Sequence, residues 1–116
     1  MQQKKYEIEY TYSSRNDIRK IKEDILEYFK YREMGEDFMR KMKEAAGRIK
    51  MQPAAQEMTG FEHKGYDIYI RPYRAYLIFY IIDEENAMIT ILRILQDGMN
   101  WQFIIKQWLA QKDKKI

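Results

Sequence analysis

The sequence of 116 residues contains no cysteine, one histidine, two prolines and five glycines. Without cysteine it forms neither a disulfide framework nor a thiolate nucleophile, and a single histidine makes a zinc site unexpected. The glycines, at positions 35, 47, 60, 65 and 98, are too scattered for a phosphate-binding loop. The sequence therefore predicts neither a metal site nor a cofactor site.

Long hydrophobic runs are also missing, since the longest extends only from Ala75 to Ile82. Spanning a bilayer requires about 20 apolar residues, so no membrane association is expected. The N-terminal stretch MQQKKYEIEY carries two lysines without an apolar segment behind them, which is not the pattern of a secretory signal. We therefore expect a cytoplasmic protein.

The residues that are present are typical of one folded domain. An apolar content of 46% and an aromatic content of 15% suffice for a core and exclude global disorder. We expect a single domain over residues 1–116, with a frayed tail from about residue 111. The formal net charge of +3 and the isoelectric point of about 9.0 are compatible with an acidic or polyanionic partner.

The N-terminal half predicts a strand followed by a helical hairpin. The stretch YEIEYTY, residues 6–12, alternates between apolar and polar side chains as a half-buried strand does. Ser13 and Ser14 suit a helix start. Apolar residues at helical spacing follow at Ile18, Ile21, Ile25 and Phe29. Gly35 is expected to separate this helix from a second one, which runs to about Met51 and ends before Pro53.

The C-terminal half predicts a loop, three strands and a helix. Residues 54–64 are interpreted as a connecting loop, and the strands are placed at Tyr66–Arg71, Tyr76–Ile82 and Met88–Leu95. The last helix carries an apolar stripe of Trp101, Ile104, Ile105, Trp108 and Leu109. The predicted fold is α+β, with an antiparallel meander of three strands completing one sheet in the order β-α-α-β-β-β-α.

Three arginines near the sheet are candidate catalytic residues. Arg71 and Arg74 flank the first turn of the meander, and Arg93 interrupts the apolar strand ITILRIL. Guanidinium groups hold phosphates in a forked geometry and could stabilise a cleaving phosphodiester. Arg93 is expected to share its strand face with Ile89, Ile91 and Leu95. A structural role is favoured there, since buried arginines usually pair with carboxylates or carbonyls, whereas Arg71 and Arg74 fit a solvated turn equally well.

Two further surfaces are candidates for binding a partner macromolecule. Residues 40–50 hold five basic side chains against one acid, among them Arg40, Lys41 and Lys43, although such spacing is also typical of a solvated helix face. On the C-terminal helix the candidates are Trp101, Lys106 and Trp108, because the apolar stripe exceeds what a small sheet is expected to cover. Core packing is the alternative for the tryptophans. His63, in FEHKG, is predicted to be a solvated loop residue.

The stretch RPYRAYLIFYIIDEENAMITILRILQDGMNW resembles the C-terminal half of the RelE/ParE superfamily of toxins from type II toxin–antitoxin pairs. In that superfamily a strand ends in YR, a second strand reads hhFY (h is apolar), and an acidic turn precedes I-x-I-h-R-V-L-H. Tyr73–Arg74, Ile78–Tyr80 and Ile89–Leu95 stand in these places. Pro53 and YEIEYT also resemble family positions. The resemblance implies the β-α-α-β-β-β-α fold and a toxin.

The departures from the superfamily pattern bear on activity. Gln96 stands where members that cleave messenger RNA often carry histidine, and glutamine cannot transfer a proton. Met99 and Asn100 replace the usual arginine and aspartate. The long helical hairpin resembles the ParE branch, whose members act on DNA gyrase without a hydrolytic site. The resemblance therefore implies a ParE-like inhibitor, most plausibly of gyrase, and favours a protein that is not an enzyme.

The resemblance also implies partners and leaves two alternatives open. A cognate antitoxin is expected to wrap over the sheet and helices as an extended, partly disordered segment, and operator DNA is bound only through that complex. One alternative is a ribosome-dependent mRNA endoribonuclease in which Arg74 or Arg93 stabilises the transition state. The other is an attenuated, non-catalytic member that acts only in the antitoxin complex.

Overall fold

One five-stranded sheet organises the protein, whose computed structural model describes residues 5–112. The elements are β1 (Glu7–Tyr10), α1 (Tyr12–Phe29), α2 (Arg32–Met51), a 3-10 turn (Pro53–Ala55), β2 (Glu57–His63), β3 (Tyr66–Tyr73), β4 (Tyr76–Asp83), β5 (Met88–Gln96) and α3 (Trp101–Lys112). The strand order is β1-β5-β4-β3-β2. Strands β2 to β5 form an antiparallel meander, and β1 pairs with β5 in parallel. The predicted α+β class and its helical hairpin are confirmed.

Helix α1 begins earlier than the serines suggested. Thr11 caps it, because its hydroxyl accepts the Ser14 backbone N–H at 3.0 Å and donates to the Leu92 carbonyl of β5 at 2.8 Å. Tyr12, predicted to end the first strand, is instead the first residue of α1 and is 78% exposed. The cap therefore ties the start of α1 to the sheet as well as satisfying a free amide.

The two helices are separated at Lys30 and Tyr31, so the predicted break at Gly35 is wrong. Lys30 adopts a left-handed conformation with φ 65°, and its N–H bonds to the Leu26 carbonyl, which ends α1. Gly35 lies buried inside α2. A left-handed residue stops a helix whether or not it is glycine, and this signal was not visible in the sequence.

The sheet has a hydrophobic core on each face. The face covered by α1 and α2, here called the hairpin face, contains Phe38, Met42, Ala45, Ile49, Tyr73, Ile78, Tyr80, Ile82, Ile89, Ile91 and Ile94. The face covered by α3, here called the α3 face, contains Ile68, Ile70, Leu77, Phe79, Ile81, Leu92, Leu95, Ile105 and Trp108. Burial on both faces explains why β4 is apolar throughout. Within residues 5–112, no helix is both long and apolar enough to span a bilayer.

Residues 54–64 are not a loop, which corrects the prediction. They include the 3-10 turn and β2, which pairs with β3 from Glu57 opposite Ile70 to His63 opposite Tyr66. The register shifts between Met58 and Glu62, a stretch that includes Gly60 at φ 91°. The bulge interrupts the alternation by which a strand is identified in sequence. The meander therefore has four strands.

A second irregularity changes the face on which Arg93 lies. Phe79 pairs with Arg93 but Tyr80 pairs with Ile91, so Leu92 is skipped in the register. Directly opposed residues of an antiparallel pair lie on one face. Phe79 belongs to the α3 face, so Arg93 lies there too, whereas Ile91 belongs to the hairpin face. The expectation that Arg93 shares a face with Ile89 and Ile91 is wrong, because it assumed an unbroken strand.

The end of the chain is described only in part. Residues 111 and 112 belong to α3, and the remainder of the tail that was predicted to fray, residues 113–116, lies outside the described residues.

Candidate functional site

Arg93 forms a two-bond ion pair with a carboxylate from α1. Its Nε donates to Asp17 Oδ2 at 2.7 Å, and its Nη2 donates to Oδ1 at 2.9 Å. The backbone N–H of Ile94 donates to the same Oδ2 at 2.9 Å. The two side chains are only 17% and 11% exposed. This forked, charge-assisted contact holds the start of α1 against β5, and it occupies the guanidinium edge that would otherwise face a phosphate.

A second contact joins α1 to α3 beside this ion pair. Trp108 Nε1 donates to Ser13 Oγ at 2.8 Å, and Trp108 is 8% exposed. The His63 ring lies 5.5 Å from the Trp108 ring, between centroids, so His63 is a buried strand residue and not the solvated loop residue that was predicted. A cavity of about 300 Å³ is lined by both Arg93 and Trp108.

The apolar stripe of α3 packs mainly onto the sheet. Ile105 is fully buried, and Trp101 contacts Phe79 at 5.5 Å between ring centroids. Trp101 and Trp108 therefore contribute to the core, and the apolar stripe does not form the exposed docking surface that was expected. Lys106 remains exposed on α3, near the exposed Phe103.

Arg71 lies on the opposite side of the sheet from Arg93. It pairs with Ile78, which belongs to the hairpin face, whereas Arg93 pairs with Phe79 on the α3 face. The register therefore directs the two side chains to different faces of the sheet. The structure therefore does not bring these two candidates together around one phosphate.

The Arg71 side chain lines a groove of about 280 Å³ formed with Arg48, Met51, Gln52 and Gln56, here called the Arg48–Arg71 groove. The Nε of Arg71 is buried and has no hydrogen-bond partner among residues 5–112. Beneath this region, the Tyr80 hydroxyl donates to the Pro53 carbonyl at 2.6 Å. Burial raises the pKa of Tyr80, and the positive charge of Arg71 opposes part of that rise.

Arg74 lies in the tight turn between β3 and β4. Its φ of 54° is in the left-handed region that residues other than glycine rarely adopt. Its guanidinium carbon lies 5.6 Å from the centroid of the Tyr73 ring, a cation–π arrangement. A hydrogen bond with Tyr73 is the main cause of a raised pKa for Arg74. Arg74 is exposed and available to a partner.

The basic residues of α2 are partly neutralised within the helix. Arg40 and Lys41 both pair with Asp37, the lysine at 2.7 Å. These contacts, that of Lys41 first, lower the pKa of Asp37. Lys43 is exposed on the same helix. The basic face is therefore less positive than the sequence suggested.

Residues 8–101 match the family model of the ParE toxin of the type II toxin-antitoxin system parDE. The chain belongs to this family. The match includes the hairpin, the whole meander and the Asp17–Arg93 pair. No curated protein sequence matches the ParE-family chain.

Solved structures share the fold of the ParE-family chain at low sequence identity. The chromosomal ParDE system from P. aeruginosa aligns with a TM-score of 0.61 and 13% identity, over 81% of this chain and 98% of that one. The RelBE2 toxin–antitoxin complex from Mycobacterium tuberculosis aligns with a TM-score of 0.56 and 18% identity, over 84% of this chain and 98% of that one. The RelE–RelB complex from Pyrococcus horikoshii aligns with a TM-score of 0.54 and 14% identity, over 81% of this chain and 97% of that one.

The titratable groups beside the arginines of this ParE-family chain include the Asp17 carboxylate at Arg93 and the phenols of Tyr73 at Arg74 and of Tyr80 near Arg71. Gln96 is exposed at the end of β5, and His63 lies on the α3 face against Trp108. Burial raises the pKa of the Tyr80 phenol, so it is a weaker acid than an exposed tyrosine. Among residues 5–112, no three histidine, aspartate or glutamate side chains cluster so as to hold a metal ion.

Sequence reasoning missed the Asp17 carboxylate as the partner of Arg93. A signal for Asp17 did exist, since an arginine in an apolar strand requires a carboxylate. The sequence offers 18 acidic residues, however, and the correct one is 76 positions away from Arg93.

Proposed function

We propose that this ParE-family toxin inhibits an essential bacterial target by binding it, and that the target is DNA gyrase. The observation that carries this proposal is the separation of the arginines. Arg93 is paired with Asp17, and the strand register directs the Arg93 and Arg71 side chains to different faces of the sheet. Cleavage of a phosphodiester needs clustered positive charge and a proton-transfer group around one phosphate. An inhibitor that acts by binding needs neither.

We also propose that a cognate antitoxin neutralises the toxin by wrapping over the helical hairpin and the sheet. The similar ParDE and RelBE structures are toxin–antitoxin systems, which supports such a partner. A groove of about 600 Å³ runs between α1 and α2, with apolar residues Ile18, Leu26 and Met39 in its lining. Charged residues also line it, at Arg15, Arg19, Lys22, Glu23, Arg32 and Glu36. An amphipathic segment fits such a groove.

One observation favours the alternative of ribosome-dependent mRNA cleavage. Arg74 is an exposed arginine held in an uncommon backbone conformation, and such conformations concentrate at functional sites. In that case Arg74, rather than Arg93, would stabilise the charge that develops on the phosphate. The attenuated, non-catalytic family member is the third possibility, and the experiment below separates all three.

The test combines pulse labelling with two assays of the purified chain. Labelled thymidine and labelled methionine are given to bacteria at intervals after induction, and the protein is added to gyrase supercoiling and ribosome-dependent mRNA cleavage reactions. We expect thymidine incorporation to fall first, supercoiling to be inhibited and mRNA to stay intact. The Arg74→Gln variant should retain its inhibition, as should the control Lys20→Gln at an exposed position of α1.

The opposite pattern would contradict the proposal. If methionine incorporation falls first and Arg74→Gln reduces mRNA cleavage by about 100-fold or more, the protein is a ribosome-dependent nuclease. Normal growth with both labels unaffected would instead identify the attenuated member.

A further inference from the structure

We propose that the Arg48–Arg71 groove is a subsite for an acidic side chain of a partner protein. The proposal rests on the proposed function in one respect, because the antitoxin is the partner expected to supply the acidic segment. It goes further in naming the recognising residues and the chemistry of the group that they bind.

The first argument is the state of Arg71. Its Nε is buried, yet it donates to no acceptor among residues 5–112. Buried polar groups in native proteins almost always have a hydrogen-bond partner. Arg93 shows how the same side chain is satisfied in this fold, through a carboxylate that accepts at both of its oxygens. The Nε of Arg71 has no such acceptor within residues 5–112.

The second argument is the charge of the groove. Arg48, in the last turn of α2, is exposed and pairs with no carboxylate among the described residues. The remaining lining residues are Met51, Gln52 and Gln56, so the groove contains two positive charges and no negative one. Two guanidinium groups at one groove repel each other, and a bound anion removes that repulsion. Their forked donors match the geometry of a carboxylate.

Exposed methionines beside the groove favour a protein carboxylate over a nucleic-acid phosphate. Met51 lines the groove and is 66% exposed. Met58, 56% exposed, pairs with Tyr69 of β3 and so lies on the same sheet face as Arg71. Exposed methionines are adaptable apolar contacts typical of protein interfaces, whereas phosphate tracts are bound by rows of cations. An acidic side chain with an apolar neighbour fits this surface.

The test uses the full-length chain labelled with nitrogen-15, in which each arginine Nε–Hε group gives its own signal. The chain is titrated with the capped tripeptide acetyl-Leu-Glu-Leu-amide, its glutamine counterpart, and a single-stranded RNA hexamer. We expect the Arg71 and Arg48 signals to shift saturably with the glutamate peptide, and the glutamine peptide to bind about tenfold more weakly.

Variants separate a direct role from a loss of folding. Arg48→Gln changes an exposed residue and should weaken glutamate-peptide binding about fivefold while the circular dichroism spectrum is unchanged. Arg71→Gln should weaken it at least as much. Arg40→Gln, on the same helix but outside the groove, is the matched control and should bind like the parent chain.

Three results would overturn the proposal. Equal binding of the two peptides would show that the carboxylate is not recognised. Shifts at Arg40 as large as those at Arg71 would show a general charge effect. Tighter, saturable binding of the RNA hexamer at Arg48 and Arg71 would assign the groove to nucleic acid. None of these measurements depends on toxicity, so peptide binding without gyrase inhibition would refute only the proposed target.

Discussion

Arg93 and Arg71 occupy comparable places in the sheet and have different environments. Each lies on a strand next to an edge strand, β5 beside β1 and β3 beside β2. Arg93 is met by Asp17 from α1, which accepts two of its hydrogen bonds. Arg71 faces Arg48 and two glutamines across a groove. We therefore assign Arg93 to the fold and propose that Arg71, whose Nε has no acceptor within residues 5–112, is available to a partner.

Replacing Asp17 with alanine should reduce stability the most. The change leaves the Nε of Arg93 without an acceptor, as the Nε of Arg71 is. The change removes both acceptors of Arg93 and also leaves the Ile94 N–H without its partner. We expect the free energy of unfolding, measured by urea denaturation, to fall by about 2–4 kcal/mol. As a control, Glu23→Ala removes an ion pair that is more than half exposed and should change stability by less than about 0.5 kcal/mol.

Replacing Trp108 with phenylalanine tests whether the Arg93 side of the sheet is reinforced by α3. The variant keeps an aromatic ring but loses the hydrogen bond to Ser13. We expect a loss of about 1–2 kcal/mol in the free energy of unfolding. Thermal unfolding followed by circular dichroism measures it. An unchanged midpoint would mean that the bond between α1 and α3 does not contribute.

Replacing Thr11 with alanine tests the third contact that holds the start of α1, after the Asp17–Arg93 ion pair and the Ser13–Trp108 hydrogen bond. The variant loses the cap on α1 and the bond to the Leu92 carbonyl. A decrease of about 1 kcal/mol in the free energy of unfolding is expected from the loss of a helix cap. Urea denaturation measures the change, and stability equal to that of the parent chain would show that the Thr11 cap does not help to hold the start of α1.

Replacing Arg71 with glutamine should have the smallest effect on stability. A buried donor without an acceptor contributes little to the fold, so we expect a change within about 1 kcal/mol in either direction. The same denaturation experiment measures it. A loss above about 2 kcal/mol would show that Arg71 is structural, like Arg93, and would remove the distinction between the two.

The sequence predicts the regular elements well and the irregular ones poorly. The helical hairpin follows from its apolar spacing, and the positions of β3 to β5 follow from runs of apolar and aromatic residues bounded by turns. Strand β2 was missed because its bulge interrupts the alternation, and the face of Arg93 was wrong because the register skips Leu92. A skipped residue leaves composition unchanged while reversing every later side chain.

The candidate sites depend on tertiary contacts, so they were predictable only as residue types. The sequence identified Arg71, Arg74 and Arg93 as candidates but not that the sheet separates Arg71 from Arg93. It identified Trp108 as apolar but not its bond to Ser13, 95 positions away. Such pairings arise from the packing of distant elements, and local pattern contains no information about them.

The double-mutant cycle between Asp17 and Arg93 tests the central claim most directly. The free energy of unfolding is measured by urea denaturation for the parent chain, Asp17→Ala, Arg93→Ala and the double variant. We predict that the double variant loses about 1–3 kcal/mol less than the sum of the two single variants, because the pair acts as a unit. Additivity within about 0.3 kcal/mol would contradict the claim that Arg93 is held for the fold by Asp17.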